Sequence, residues 1–417
     1  MRVLHLADWH LGRRTLRESR AADHDAVIAE ILDIARDARP DLIVHAGDLW
    51  DSARPGHDDL LRGVEALRDL AGLCPVHVVC GNHDSPSLFR ALGRLPGVAE
   101  HVSFAASDDD PLRTVPLRDG GRALVASIPY PHPNRSGGPD DQAAAYRADL
   151  ARRLGGAAER LAREASPGDR RILAAHIHVA GAQLSNAAAD PGRAESLSAD
   201  PDALPRLDYV ALGHIHRPQP IGDRGRYAGS PVPLDFSEAG DRKSVALVTA
   251  MPGDVPRVET VPLAAGRPLI TVQGGIDELA RRAPETVGAL CRAIVTGEEP
   301  AAALADRVRD ALPEARVVEV VASRPERGAD DHEPGPNEGA APLSELLRDY
   351  LVADGVSGPR LDRLLGRFED LAEAARHERD YEPDELVELG GGDEGPGERS
   401  ATDETAPPSR PTAGTTP

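Results

Sequence analysis

A chain of 417 residues is long enough for two or three domains and a large buried core. With 40% hydrophobic but only 3% aromatic residues, that core must be built from Leu, Val, Ile and Ala, and no stretch approaches the roughly 20 apolar residues of a membrane-spanning helix. The net charge of −21 argues against nucleic acid at first sight, yet it is unevenly spread: 22 acidic and 8 basic residues lie from Gly328 onward, against 47 and 40 before it. The opening MRVLHLADWH has no signal-peptide pattern. Cys74, Cys80 and Cys291 form neither a metal-binding spacing nor a disulfide framework, so a reducing cytoplasm is the expected compartment. Lys243 is the only lysine beside 47 arginines, a mark of a GC-rich genome that by itself says little about chemistry.

Residues 1–267 read as alternating strands and helices, an α/β organisation. Short apolar runs at Val3–Ala7, Leu42–Ala46, Val76–Cys80, Ala123–Ile128, Ile172–Ala175 and Tyr209–Leu212 suit strands covered on both faces. Amphipathic helices are expected at Ala21–Arg39, Leu60–Leu70 and Ala143–Ala165. Residues 268–327 read as a small separate α/β unit in the order strand, helix, strand, helix, strand. Residues 328–342 have the composition of a linker. In 343–380, one apolar stripe (Leu343, Leu346, Leu347, Tyr350, Leu351) is followed by a break and a second stripe (Leu361, Leu364, Leu365, Phe368, Leu371). Such a helix pair either packs on its own domain or docks on another chain. Residues 381–417 are acidic and rich in Gly, Pro and Thr, the composition of a disordered tail.

Five segments place chemically capable side chains at or just past the apolar runs: Asp8-Trp9-His10, Gly47-Asp48-Leu49-Trp50-Asp51, Gly81-Asn82-His83-Asp84, His176-Ile177-His178 and Gly213-His214-Ile215-His216. Any one of them is commonplace. Together they are not, because sites of α/β sheets gather at the carboxyl ends of strands, and many buried polar groups converging without purpose would be costly. Carboxylate, amide and imidazole without thiolate exclude a structural zinc site and an all-oxygen cage, and fit manganese, iron or zinc at a catalytic centre. The number of donors exceeds what one ion takes and suits two ions roughly 3.5–4 Å apart that share a carboxylate. His176 and His178 lie on one strand face, and the spacing alone leaves either as the donor. His5, His45 and His77 fall inside the apolar runs and read as packing, and Asp84 reads as structural. Arg13 and Arg14 either reach substrate phosphates or are solvated surface charge.

The order D-x-H, G-D-x-x-D, G-N-H-D, H, G-H-x-H resembles the calcineurin-like metallophosphoesterases. Asp8-Trp9-His10-Leu11-Gly12-Arg13, the continuations to Pro55 and to Ser85-Pro86, and Tyr227–Pro231 leading to Asp235–Glu238 are similar to the bacterial SbcD nucleases. The resemblance implies a sandwich of two mixed β-sheets flanked by helices, a small α/β cap and a C-terminal helix pair. It implies that Asp8, His10 and His216 hold one ion, that Asn82, His176 and His214 hold the other, and that Asp48 bridges both. Manganese is the implied metal. His83 would stabilise the phosphoryl transition state or protonate the leaving oxygen, with Asp51 orienting its ring. The implied activity is 3′→5′ exonuclease action on double-stranded DNA ends and endonuclease action on single strands and hairpins, in DNA repair, recombination and replication. ATP dependence would come through an SbcC-like ATPase of the SMC type, docked on the helix pair, with the chain itself a homodimer within a heterotetramer. The metal centre alone would equally serve a small-molecule phosphodiesterase or phosphatase.

Overall fold

The computed structural model describes residues 1–132, 142–184, 197–297 and 303–323, together with 347–348, 351–352, 358, 360–361 and 364–368. The chain divides into two compact units, Met1–Arg327 and Gly328–Pro417.

The first unit is built on two six-stranded mixed sheets. In the first sheet, β1 (Arg2–Leu6), β4 (Leu42–His45), β5 (Val76–Val79) and β6 (Val102–Ala105) run parallel. The antiparallel pair β13 (Ser244–Thr249) and β14 (Arg257–Pro262) extends this sheet beyond β1. In the second sheet, β8 (Arg122–Ile128), β9 (Arg170–His176), β10 (Tyr209–Gly213) and β12 (Gly225–Tyr227) are parallel. β7 (Arg113–Pro116) and β11 (Gln219–Ile221) close its edges antiparallel. A short hairpin, β2 (Arg14–Thr15) with β3 (Glu18–Ser19), follows the first strand.

Alternation along each strand decides which side chains meet. Val3, Val44, Val79, Val125, Ile172, Ala211 and Val248 form one apolar cluster between the sheets. Leu4, Leu6, Ile43 and Val78 point the other way, onto α1 (Ala21–Ala38), α2 (His57–Ala71) and α3 (Pro86–Leu92). Leu124, Ala126, Leu173 and Leu212 pack on α4 (Gln142–Glu164) through Tyr146, Leu150, Leu154 and Leu161. Every central strand is therefore apolar on both faces, the reason the runs read as continuous. Local chemistry sets the helix ends. Ser85 caps α3 by accepting from Leu88 N at 3.3 Å with Pro86 in the first turn, and α1 stops at Arg39 in a left-handed conformation before Pro40.

A third, all-parallel sheet comprises β15 (Leu269–Gly274), β16 (Leu290–Thr296) and β17 (Arg316–Ser323). It has its own apolar cluster with α5 (Ile276–Arg282) and α6 (Leu304–Ala311), centred on Val272, Leu279, Cys291, Ala293 and Val308. By contacts it belongs to the same compact unit as the sandwich. Phe236 packs on Leu269 and Leu290, the Arg292 guanidinium lies 4.5 Å from the Phe236 ring centroid, and Arg316 pairs with Glu18 at 2.6 Å. The chain entering this sheet is tied to α1 by a buried network. The fully buried Arg20 donates to Asp23 at 2.7 Å, to the Pro233 carbonyl at 3.0 Å and to the Arg267 carbonyl at 2.9 Å, and Arg267 in turn pairs with Asp23.

In the second unit the expected linker 328–342 and tail 381–417 lie outside the described residues, as does most of the helix pair 343–380. Helical residues are described at 347–348, 351–352, 360–361 and 364–368, where Leu361 and Leu365 are buried and Leu364 is exposed. Among the described residues no helix is long and apolar enough to cross a membrane.

Four buried histidines, His5, His24, His45 and His77, are not among the expected donors. His5 bonds the Tyr209 hydroxyl at 2.9 Å, His77 lies between the hydroxyls of Ser103 and Ser127, and His24 and His45 have no hydrogen-bond partner among the described residues. Burial pushes the pKa of His5, His45 and His77 down to about 3 and that of His24 to about 4. A folded pKa below the ordinary value of 6.5 means that the neutral rings stabilise the fold fully above that pH. That contribution is lost as the pH falls toward about 3, each ring losing about 1.4 kcal/mol per pH unit over the window. Urea unfolding should therefore show a steeply falling midpoint between about pH 6.5 and 5. A flat midpoint over that range would mean that these rings are charged in the folded state.

Candidate metal centre

Five loops leave the carboxyl ends of parallel strands, three from the first sheet and two from the second. Asp8 and His10 follow β1, Asp48 follows β4, Asn82 and His83 follow β5, His176 ends β9, and His214 and His216 follow β10. Packing the sheets face to face with these ends aligned brings residues more than 200 positions apart into contact: His214 N donates to Asp8 Oδ1 at 2.9 Å. The loops are short and strained. Asp8, His10, Asp48 and His214 have φ of 54°, 48°, 52° and 100°, four of the seven non-glycine residues with positive φ among those described. Such strain persists only where the surroundings over-determine it. Gly47, at φ 101°, is required as well, since a Cβ there would overlap the His176 ring.

His176, His10 and His216 are each held by one ring nitrogen, which leaves the other to face the centre. His176 Nδ1 donates to the Ala46 carbonyl at 2.8 Å, which leaves Nε2 2.9 Å from Asn82 Oδ1 and 3.3 Å from Asp48 Oδ2. His214 Nδ1 reaches the same Asn82 oxygen at 3.0 Å. His10 Nδ1 bonds Asp51 Oδ1 at 3.1 Å, with Nε2 3.4 Å from Asp48 Oδ2. His216 Nδ1 bonds Glu238 Oε1 at 2.8 Å. Ligand atoms within 4.8 Å of one another occur in three groups: Asp8, His10 and His216; Asp8, Asp48 and His176; and His10, Asp48 and His83. These groups hold five of the seven expected donors, and the hydrogen bonds of Asn82 to His176 and His214, and of His214 N to Asp8, bring in the other two. His178 is buried with its ring 6.2 Å from that of His214.

The donor set fits divalent cations. Asp8 Oδ2 and His10 Nε2 are buried without a hydrogen-bond partner, and unpaired groups of this kind are costly unless something else satisfies them. Burial opposes ionisation of Asp48, but His176, His10 and His83 outweigh it and hold its carboxyl well below the usual range. The same pair raises His176 to about 9 against its burial, through the charges of Asp48 and Asp8. Burial raises Asp8, and burial with the nearby His176 charge holds His214 well below an ordinary imidazole.

A family profile for calcineurin-like phosphoesterases matches residues 1–218. Among curated relatives, the SbcD component of the SbcCD nuclease from Bacillus subtilis is 33% identical over 65% of this chain and 71% of its own length. Its counterpart from Escherichia coli K12 is 31% identical over 66% and 72%, and that from Rhodobacter capsulatus 30% identical over 84% and 92%. The chain belongs to the SbcD family of calcineurin-like phosphoesterases. It is a metal-dependent phosphodiester hydrolase with the α/β sandwich of that superfamily.

One expectation from the SbcD resemblance is corrected by the geometry. The Asp51 carboxylate does not orient His83. It turns to His10 Nδ1 and, at 3.4 Å, to Arg13 Nη1. His83 Nδ1 instead donates to the Asp51 main-chain carbonyl at 2.9 Å, because the turn of the G-D-x-x-D loop brings the backbone rather than the side chain over that ring. Asp84 is buried and accepts from the main-chain N–H groups of Gly81, Leu49 and Trp50 at 2.9–3.2 Å, binding the second and third loops together. Arg13 stands at the rim beside Asp51. Arg14 is exposed on the β2–β3 hairpin and donates to the Arg17 carbonyl.

Glu238, noted only as part of an SbcD-like segment, and Lys243, noted only as the single lysine, were given no role at the site by the sequence. Glu238 is buried and accepts from His216 Nδ1, the Leu234 N–H at 3.1 Å and the Ser230 hydroxyl at 3.3 Å. The buried Lys243 ammonium donates to Glu238 Oε2 at 2.7 Å and to the His216 carbonyl at 3.0 Å, and lies 3.5 Å from Asp241 Oδ2. A compact ammonium fits three acceptors that a planar guanidinium does not, so the signal was there: one lysine in a chain that otherwise uses arginine. Carboxylates behind ligand imidazoles fix the tautomer and raise basicity, and their loss typically costs about 10–100-fold in metal affinity. Glu238→Gln should weaken binding of one ion by that factor while leaving the second in place. Manganese titration by calorimetry checks this, and unchanged affinity for both ions would make Glu238 a packing residue only.

Proposed function

We propose that this chain is the nuclease subunit of an SbcCD-like complex, trimming double-stranded DNA ends 3′→5′ and cutting single strands and hairpins in DNA repair, recombination and replication. The convergence of Asp8, His10, Asp48, Asn82, His176, His214 and His216 with His83 at their rim carries the phosphodiesterase chemistry, and the identity to the SbcD nucleases is the observation that favours DNA as its substrate. Asp8, His10 and His216 would hold one ion, Asn82, His176 and His214 the other, and Asp48 both. When bound, the two divalent ions, manganese by preference, supply Lewis acidity toward water and the phosphoryl oxygens.

The chain's own residues do the rest. With Nδ1–H committed to the Asp51 carbonyl, a protonated His83 has Nε2–H left to donate toward the leaving oxygen. His83 is only half buried, so its proton can be restored from solvent. Asp51 acts one step back, fixing the His10 tautomer so that Nε2 faces the centre. Arg13 offers its guanidinium to a substrate phosphate at the rim, and Arg14 lies further out on the hairpin. The partner is an SbcC-like ATPase of the SMC type, docked through 343–380, and the chain would act as a homodimer within a cytoplasmic heterotetramer. The names of the relatives and the paired leucine stripes support this part of the reading.

The test is manganese-dependent cleavage of an end-labelled DNA hairpin, run beside cyclic nucleotides and phosphomonoesters. Hairpin cleavage is the expected result, and activity confined to the small phosphoesters would replace the nuclease reading. Asp48→Ala should lose both ions and all turnover; near-full metal content in that variant would refute the bridging role. His83→Ala should keep its metals and lose about 10²–10⁴-fold in rate. Wild-type rates in that variant would rule out proton donation by His83.

A further inference from the structure

A cavity of about 550 Å³ opens beside the metal centre, between α3, the loop after β6, the end of β8 and α4. Tyr130 is the wall it shares with that centre. The Tyr130 ring centroid lies 5.4 Å from that of His214, with the planes tilted by 32°, and 6.1 Å from that of His176. His132 meets the same ring edge-on at 5.1 Å. The Tyr130 N–H donates to the Cys80 carbonyl at 3.0 Å, which ties this wall to the loop bearing Asn82 and His83. A substrate group next to a phosphate held at the centre therefore passes Tyr130 to enter the cavity.

The charges lining it favour an anion. Arg153 pairs with both Asp108 and Asp149, and Arg152 with Asp149, so those carboxylates are occupied. Arg160 donates only to main-chain carbonyls, of Asp108 and Asp110, and its charge is not neutralised by them. Arg90 is exposed and has no partner among the described residues, which leaves two uncompensated guanidinium groups against the carboxylate of Asp109. An aromatic face beside guanidinium groups not paired with carboxylates is the chemistry that takes a base and its phosphate, and the volume lies within the roughly 300–1,000 Å³ of small-ligand sites.

We propose that this cavity is a subsite for an unpaired nucleotide adjoining the scissile phosphate, with the base stacked on Tyr130 and the flanking phosphate held by Arg90. The proposal rests on the nuclease reading for its substrate class, and it implies that a terminal nucleotide leaves the duplex before its phosphodiester is cut.

Calorimetric titration of the manganese-loaded full chain with deoxyadenosine 5′-monophosphate and with deoxyribose 5-phosphate tests it. The nucleotide should bind about tenfold or more tighter than the sugar phosphate. Tyr130→Phe should keep that ratio, Tyr130→Leu should abolish it, and Arg90→Ala should weaken both ligands several-fold with metal content unchanged. Equal affinities in the wild-type protein, or a ratio that survives Tyr130→Leu, would overturn the subsite. Should Tyr130→Leu lose its metals, Arg90→Ala decides: undiminished binding of both ligands overturns the proposal. A protein that keeps the ratio but leaves hairpin DNA uncut supports the subsite and refutes only the nuclease reading. One that cuts hairpins without the ratio does the reverse.

Discussion

The Asp48 carboxylate joins the two sheets at their carboxyl ends. Its Oδ1 accepts from His83 N at 2.8 Å, its Oδ2 lies 3.3 Å from His176 Nε2 and 3.4 Å from His10 Nε2, and its main-chain carbonyl accepts from His10 N at 3.1 Å. The loops after β1, β4 and β5 and the end of β9 therefore all meet at one buried carboxylate. A charge in that position is tolerable only with positive partners around it, whether protonated imidazoles or cations. This demand accounts for the strained backbone at Asp8, His10, Asp48 and His214, because relaxed loops would not bring these donors to a common point.

Around that carboxylate the protein spends a second layer of hydrogen bonds on orientation. The Ala46 carbonyl sets His176, Asp51 sets His10, and the Asp51 carbonyl sets His83. Glu238, backed by Lys243, sets His216. Each ring's partner lies on a loop other than its own, so the imidazoles are fixed by the packing of the sandwich rather than by their neighbours in sequence. Asp84, held by three main-chain N–H groups, keeps the Gly47–Trp50 and Gly81–Asp84 turns in register. At the rim of this hydrogen-bonded centre lie Arg13, which leads into the β2–β3 hairpin, and Tyr130, which leads into the cavity.

Much of this was legible from residue order. Strands covered on both faces announce themselves as unbroken apolar runs, and α1 and α4 begin and end within a residue or two of their amphipathic stretches. The five polar segments are conspicuous because each follows directly on such a run. The role of Asp51 was not legible, because D-x-x-D spacing does not reveal which of its oxygens, main-chain or side-chain, meets which ring. Glu238 and Lys243 sit in a loop without periodicity, and composition explained the lone lysine as a codon effect until its three acceptors were seen.

By itself the sequence determined the α/β class, the alternation that covers each sheet, and which side chains stand at strand ends, because all of these follow from local periodicity and short-range steric rules. Only the tertiary structure decided which nitrogen of each imidazole faces the centre, that the Asp51 backbone rather than its carboxylate holds His83, and that a lysine behind Glu238 supports His216. These are relations between loops far apart in the chain. They depend on how two sheets stack and twist against each other, and no local pattern encodes that.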